Sequence, residues 1–148
     1  MWTALRLEWH ILLLAVQFLT RVPVPGTLPW SDDLEVRAAK YYPLVGALVG
    51  GCGALVLWGA SLLFSVETAL ILSLLTTLVL TGALHEDGLA DSADGLVGGR
   101  TADRALEIMR DSRLGTYGAL ALICGLGLKV ALLASVPIPQ AAVLLVLG

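Results

Sequence analysis

The sequence predicts an all-α fold, a polytopic bundle of transmembrane helices that carries a cytoplasmic acidic loop and an amphipathic helix. Of its 148 residues, 57% are hydrophobic and only 14% are charged, whereas a soluble domain has about 45–50% apolar and about 25% charged residues. The mean hydropathy is +0.87, and long runs of the chain carry no charge. Because so little polar surface cannot cover so much apolar matter, lipid is the expected solvent.

The uncharged runs predict the membrane segments in order. Residues 41–66 are long enough to cross a hydrocarbon core of about 30 Å at about 1.5 Å per residue, and residues 68–84 form a shorter second helix. Pro137 and Pro139 divide the later apolar stretch, because proline interrupts a helix. We therefore expect one span near 115–136 and another that begins near 139.

The two ends of the chain are less sharply defined. Residues 9–20 are apolar and are followed by no cleavage pattern, so this segment is expected to be retained. Residues 5–20 either cross the membrane or lie in its interface. The final apolar run would give a span of about ten residues, which is too short to cross a bilayer. We therefore expect residues 1–148 to be a single membrane domain that forms the N-terminal part of a longer one.

The charge pattern predicts orientation. Segments 21–40 and 85–113 hold most of the lysines and arginines, while the turn near Glu67 between the first two spans holds none. The positive-inside rule places both long segments in the cytoplasm. The net charge of −3 argues against a nucleic-acid partner, which would require a basic surface.

Small residues and cysteines in the apolar runs are read as packing residues. Cys52 and Cys124 lack metal-ligand spacing, and we expect both to be buried. Several glycines could let two helices approach closely; these are Gly46, Gly50, Gly51, Gly115, Gly118, Gly125 and Gly127.

The segment from His85 to Gly95 carries the strongest chemical signal. On a helix, Asp87, Asp91 and Asp94 fall within an arc of about 60°, and nothing basic lies among them. Oxygen-rich clusters of this kind suit Mg²⁺ or Mn²⁺. The alternative is a solvated acidic loop, although carboxylates this close to an apolar span are costly without a partner.

His85 is a candidate general base for a substrate hydroxyl. On a continuous helix it would point about 160° away from Asp87. It can join the aspartates only if Gly88 breaks the helix, and otherwise an orienting or interfacial role remains.

Residues 101–112 predict an amphipathic helix. Thr101 is a plausible N-cap, and the apolar face contains Ala102, Ala105, Leu106 and Met109. The opposite face carries Asp103, Glu107 and Asp111, with Arg100 and Arg104 beside them. These charges form either a surface helix with ion pairs one turn apart or part of a site.

The segment that opens the next span could hold phosphate. Arg110, Ser112, Arg113 and Gly115 provide two guanidinium groups, a hydroxyl and backbone N–H groups at a helix start. The alternative is that the two arginines only anchor the helix on the cytoplasmic side.

These segments resemble the cobalamin synthase family, the adenosylcobinamide-GDP ribazoletransferases. The four matching stretches follow the order of the family and cover most of the chain, and the last two are the specific ones. They are Phe18-Leu19-Thr20-Arg21-Val22-Pro23-Val24-Pro25, Tyr42-Pro43-Leu44-Val45-Gly46, His85-x-Asp87-Gly88-Leu89-Ala90-Asp91-x-x-Asp94-Gly95 and Glu107-Ile108-Met109-Arg110-Asp111-Ser112-Arg113-Leu114-Gly115-Thr116-x-Gly118.

The resemblance implies a reaction and its partners. The family joins adenosylcobinamide-GDP to α-ribazole or its 5′-phosphate, with Mg²⁺ and with release of GMP, in a membrane that would be the bacterial inner membrane. A step of this kind needs in-line positioning and charge neutralisation more than covalent help from the protein. Oligomeric state is not indicated.

The resemblance also implies roles for individual residues. The expected metal ligands are Asp87, Asp91, Asp94 and Glu107. The expected phosphate-binding residues are Arg100, Arg110, Ser112, Arg113 and Gly115. His85 or Asp111 would orient or deprotonate the attacking hydroxyl.

A second, looser likeness leaves an alternative open. Asp91-x-x-Asp94-Gly95, with Glu107-x-x-x-Asp111 after it, is similar to the paired carboxylates of CDP-alcohol phosphotransferases, although Gly99-Arg100 and Glu107 depart from that pattern. A lipid-headgroup enzyme is therefore an alternative function. A divalent-cation carrier is a third, but it would be expected to place acidic residues inside its spans.

Overall fold

The computed structural model describes residues 2–24, 26 and 28–147, and within them the fold is all-α, without a strand, as the sequence predicts. The helices are α1 (Trp2–Leu19), α2 (Asp32–Ala38), a 3₁₀ turn (Ala39–Tyr41), α3 (Tyr42–Ser61), α4 (Val66–Thr81), α5 (Leu84–Gly98), α6 (Ala102–Met109), α7 (Thr116–Ala134) and α8 (Ile138–Leu147). The chain forms two compact units. One contains the residues up to Gly82 and those from Ile138 onward, and the other is Ala83–Pro137.

The predicted membrane segments are confirmed as helices. Two helices are long and apolar enough to cross a membrane, Asp32–Ser61 and Thr116–Ala134, with a third if the broken pair α4 and α5 is one span. The first of these runs without a gap from α2 through the 3₁₀ turn into α3. The continuous helix therefore begins at Asp32, earlier than the uncharged run of residues 41–66 indicates.

The first unit is built around a hairpin of α3 and α4, and α8 packs against α3. The Ser73 hydroxyl donates to the carbonyl of Gly53 at 2.8 Å and joins the two hairpin helices. Gly50 lies directly against the backbone of Leu145 in α8, where a Cβ would not fit. Of the predicted packing glycines in this unit, Gly50 therefore makes a close helix contact, whereas Gly46 and Gly51 face open space.

Helix α1 is joined to the same unit by an apolar core and one charged cluster. Ile11 and Ala15 are fully buried and pack with Val45 of α3. The Glu8 carboxylate accepts hydrogen bonds from Lys40 at 2.5 Å and from the Tyr41 hydroxyl at 2.8 Å.

The chain leaves the helical conformation for two residues between α4 and α5. Gly82 and Ala83 both have positive φ, +67° and +57°, and the Gly82 N–H donates to the carbonyl of Leu78 in a left-handed helix cap. Helix α5 then begins at Leu84. The acidic segment expected as a loop between membrane spans is therefore itself helical, as the predicted shared face of its aspartates requires, because the break is confined to two residues.

The second unit packs α6 and α7 onto α5. Thr101 caps α6 as predicted, since its hydroxyl accepts from the Arg104 N–H at 3.3 Å. Ala105 and Met109 lie against Gly95 of α5. Leu106, expected on the packed face, is instead 51% exposed.

The expectation that the cysteines are buried was wrong. Cys52 and Cys124 are both free and exposed on the surface of the protein. In a membrane protein an apolar run does not distinguish contact with lipid from contact with protein, because lipid tails and core side chains are similarly apolar.

Candidate active site

Helix α5 carries the acidic residues on one continuous face. Because no break occurs between Leu84 and Gly98, Asp87, Asp91 and Asp94 lie within the predicted arc of about 60°. Their surroundings differ along the helix: Asp87 is exposed, Asp91 is partly buried and Asp94 is only 9% exposed. The face therefore runs from solvent into the packed interior of this unit.

The carboxylate of Asp94 is bound to the start of α7. It accepts a hydrogen bond from the Gly115 N–H at 2.8 Å and another from the Gly118 N–H at 2.9 Å, one on each oxygen. Gly115 is the N-cap of α7 and Gly118 is its third helical residue. In a capping box two side chains of the same helix satisfy these two N–H groups. Here one carboxylate from α5 satisfies both, and its charge also suits the helix N-terminus.

Both glycines are required by this arrangement. A Cβ on Gly115 or on Gly118 would overlap the Asp94 carboxylate. Because Gly115 and Gly118 have no side chain, the Asp94 carboxylate can approach the backbone of α7.

The expected set of four metal ligands is not assembled. Over residues 2–24, 26 and 28–147, no three Asp, Glu, His or Cys side chains are placed to hold one ion. Asp87 and Asp91, one helical turn apart and accessible, fit Mg²⁺ that keeps waters or phosphate oxygens for the rest of its shell. Asp94 does not fit this role equally well, since both of its oxygens are occupied by N–H groups.

Glu107 lies away from the aspartates. Its carboxylate pairs with Arg104 at 2.6 Å on the exposed side of α6. Ala105 and Met109, which contact α5, are about 160° away around the helix. Glu107 therefore does not join the acidic face of α5 in this arrangement.

Asp111 and Arg113 form a bidentate ion pair. The Arg113 guanidinium donates to both Asp111 oxygens, from Nε at 3.0 Å and from Nη2 at 2.6 Å, and the Arg113 backbone N–H donates at 3.1 Å. Hydrogen bonding from Arg113 holds the pKa of Asp111 below its ordinary value, and Asp111 in turn raises the pKa of Arg113. Asp111 is thus a weak base, suited to orienting a group by a hydrogen bond.

The predicted phosphate cradle is only partly available. The Gly115 N–H is used by Asp94, and the charge of Arg113 is shared with Asp111. Arg110, Ser112 and Arg100 are exposed. Within the described part of the chain, neither Arg100 nor Arg110 forms a salt bridge, so both can bind an anion.

His85 is in the first turn of α5 and exposed. The condition for it to join the aspartates is not met, because the helix continues through Gly88. It therefore points about 160° away from Asp87 around the helix.

Glu86 was missed by the sequence analysis. Its Oε2 atom is buried without a hydrogen-bond partner among the described residues, which is unfavourable for a carboxylate. The spacing could have predicted this position. Glu86, Ala90 and Asp94 follow one another at intervals of four, which places them on the same, buried side of α5.

Comparisons with known proteins assign the chain to a family. Residues 11–148 match the family described as cobalamin-5-phosphate synthase. An adenosylcobinamide-GDP ribazoletransferase from Vibrio cholerae is 53% identical over 119 residues, which cover 80% of this chain and 46% of the relative. An adenosylcobinamide-GDP ribazoletransferase from Leptothrix cholodnii is 52% identical over 122 residues, which cover 82% of this chain and 46% of the relative. Another from Ralstonia nicotianae is 48% identical over 143 residues, which cover 96% of this chain and 55% of the relative.

The chain spans about half the length of the curated relatives it matches. No solved structure matches it. The family match covers both the acidic helix α5 and the arginine-containing segment that precedes α7. The chain belongs to the cobalamin-5-phosphate synthase family.

Proposed function

We propose that this protein transfers the cobinamide phosphate group of adenosylcobinamide-GDP to α-ribazole or to its 5′-phosphate. A ribose hydroxyl of the acceptor attacks the phosphorus that carries cobinamide. The bond from this phosphorus to the bridging oxygen breaks, GMP leaves with that oxygen, and the hydroxyl proton is released to a base or to water. The product is adenosylcobalamin or its 5′-phosphate.

One observation of geometry carries the proposal beyond family membership. The Asp94 hydrogen bonds tie the acidic face of α5 to the end of the segment that contains Arg110 and Arg113. A diphosphate needs both kinds of group nearby, because its charge must be neutralised as the leaving group departs. Acidic and basic residues that are about 20 positions apart in the sequence are thereby placed in one unit.

The metal in this proposal is Mg²⁺, held by Asp87 and Asp91. These two carboxylates leave most of the coordination shell for water and for diphosphate oxygens, as Mg²⁺ prefers. When bound, Mg²⁺ would neutralise charge on the diphosphate. Gly88, beside them on α5, has open space in the direction of a Cβ, so a bulky ligand can approach the backbone there.

The chain's cations complete the proposed site. Arg100 and Arg110 are exposed and unpaired within the described residues, and they would bind the phosphates of the donor. Asp111, ionised and fixed by Arg113, would orient the acceptor hydroxyl. His85 would take part only as an interfacial or orienting residue, since it lies on another side of α5.

The test uses full-length protein in lipid nanodiscs with Mg²⁺, adenosylcobinamide-GDP and α-ribazole 5′-phosphate. We expect GMP release that requires both substrates and stops when the metal is chelated. A parallel reaction contains a CDP-activated lipid and an alcohol acceptor. Release of CMP there, without release of GMP from adenosylcobinamide-GDP, would contradict the proposal in favour of a lipid-headgroup phosphotransferase.

A further inference from the structure

We infer that Asp94 is a positioning residue that holds the arginine-bearing segment in place, and that it is not a ligand of the metal. This inference rests on the proposed function for its catalytic meaning. The structural part stands on the contacts of Asp94 alone.

The surroundings of the Asp94 carboxylate favour an anchor over a ligand. Each oxygen accepts one backbone N–H, at 2.8 and 2.9 Å, and the residue is only 9% exposed. Mg²⁺ loses its waters reluctantly and needs nearly octahedral geometry. A carboxylate buried under the first turn of α7 offers little room for such a hydrated ion, whereas Asp87 and Asp91 are more accessible.

The anchor fixes one end of a short segment, and the residue beside it fixes the other. The segment of residues 110–115 joins the end of α6 to the start of α7. Asp94 binds its last residue, Gly115. Gly95 lies against Met109, the last residue of α6, and a Cβ there would not fit. Two adjacent residues of α5 therefore hold both ends of the segment that presents Arg110.

The hydrogen bonds of Asp94 can also be disturbed by a substitution that removes no carboxylate. In Gly118→Ala, the added methyl group would overlap the Asp94 carboxylate and the carbonyl of Ala90. Gly127→Ala, in the same helix, meets nothing within 4 Å and serves as the matched control. Asp94→Asn removes the charge and one acceptor with little change in volume.

The experiment measures three quantities in full-length protein: amide hydrogen exchange over residues 115–118, affinity for Mn²⁺ alone by electron paramagnetic resonance, and steady-state kinetics with adenosylcobinamide-GDP. In Asp94→Asn and Gly118→Ala we expect exchange to rise about tenfold or more, since a charged hydrogen bond is lost. The KM for the donor should rise in both variants, while the Mn²⁺ affinity stays within about twofold. Gly127→Ala should match the unsubstituted protein in all three.

Several results would overturn the inference. Unchanged amide exchange in Asp94→Asn would show that Asp94 does not hold the start of α7. This variant tests the structural role of Asp94 even if Gly118→Ala fails to fold. A loss of Mn²⁺ affinity in Asp94→Asn as large as that in Asp91→Asn would make Asp94 a ligand. If the unsubstituted protein releases no GMP, the proposed function fails, while the exchange measurement still decides the structural role of Asp94.

Discussion

Asp87, Asp91 and Asp94 are chemically identical and share one face of α5, yet their environments separate them. Asp94 is buried and bonded to two N–H groups of α7, Asp91 is partly buried and Asp87 is exposed. The spacing in the sequence predicts the shared face, because the helical repeat places these positions together. It cannot predict which carboxylate meets a neighbouring helix, since that depends on how α7 packs.

Substitution of Asp91 tests the metal proposal at this scale. In Asp91→Asn we expect turnover of adenosylcobinamide-GDP to fall by about two orders of magnitude or more, because Mg²⁺ loses one of two anionic ligands. Membrane insertion should be unchanged, since asparagine has nearly the same volume as aspartate and Asp91 lies outside the long apolar runs. The measurement is GMP release at saturating substrate, with partial recovery at higher Mg²⁺. Near-normal turnover would exclude Asp91 from the metal site.

The Asp111–Arg113 pair makes a prediction about pH. Because the pKa of Asp111 in the folded protein is lowered by Arg113, the pair is intact above the ordinary carboxyl range and is lost only as the pH falls through the lowered pKa. Between about pH 5 and 8 Asp111 therefore stays ionised. Asp111→Asn should lower kcat/KM about tenfold and leave the acid limb of the pH–rate profile where it is.

The control for this measurement is Asp32→Asn, a substitution of an exposed acid on α2. It should change neither the rate nor the profile. Disappearance of the acid limb in Asp111→Asn would identify Asp111 as the titrating base and contradict the assignment of an orienting role.

At the scale of elements, α5 shows that the acidic segment between two membrane spans is itself a helix. The sequence from His85 to Gly95 combines glycines with acidic residues, which is typical of loops, but the segment is helical throughout. Gly95 accommodates Met109, and Gly99 after the helix accommodates Ala105, whereas Gly88 faces open space. Tertiary contact with α6 therefore overrides the weak helix propensity of this stretch.

The contact between α3 and α8 gives a stability prediction at the same scale. In Gly50→Ala the added methyl group meets the backbone of Leu145, so α8 must move and we expect a loss of about 1–3 kcal/mol. Gly46→Ala, about one turn earlier in α3, faces open space and should be neutral or slightly stabilising. Thermal denaturation in detergent compares the two variants. Equal stability would show that α8 is not closely packed on α3.

At the scale of the whole molecule, the apolar composition indicates that lipid surrounds the helices. The distribution of lysine and arginine predicts which segments face the cytoplasm. The membrane-length helices are in the structure, while the placement of both basic segments in the cytoplasm remains a prediction from the positive-inside rule. Leu63, in the turn between α3 and α4, is 80% exposed. Ser112, between α6 and α7, is also exposed.

Cysteine labelling of these two positions tests the orientation. In a background with Cys52 and Cys124 replaced by alanine, Ser112→Cys should react with a membrane-impermeant maleimide from the cytoplasmic side only. Leu63→Cys should react from the opposite side. The turn that contains Leu63 has no lysine or arginine, and α3 separates it from the basic segment before it. Labelling of both positions from the same side would contradict the predicted topology.

The sequence by itself determined the helical class, the membrane segments and the shared acidic face, because hydropathy and helical period are local properties that survive in any packing. Only the tertiary structure decided that Asp94 binds the start of α7, that Glu107 lies elsewhere and that Arg113 is paired with Asp111. The hydrogen bond from the Gly118 N–H to the Asp94 carboxylate requires a side chain of α5 to come within 2.9 Å of the backbone of α7. That approach is a property of packed helices, and here it depends on Gly115 and Gly118, which the sequence indicates as packing glycines without indicating Asp94 as their partner.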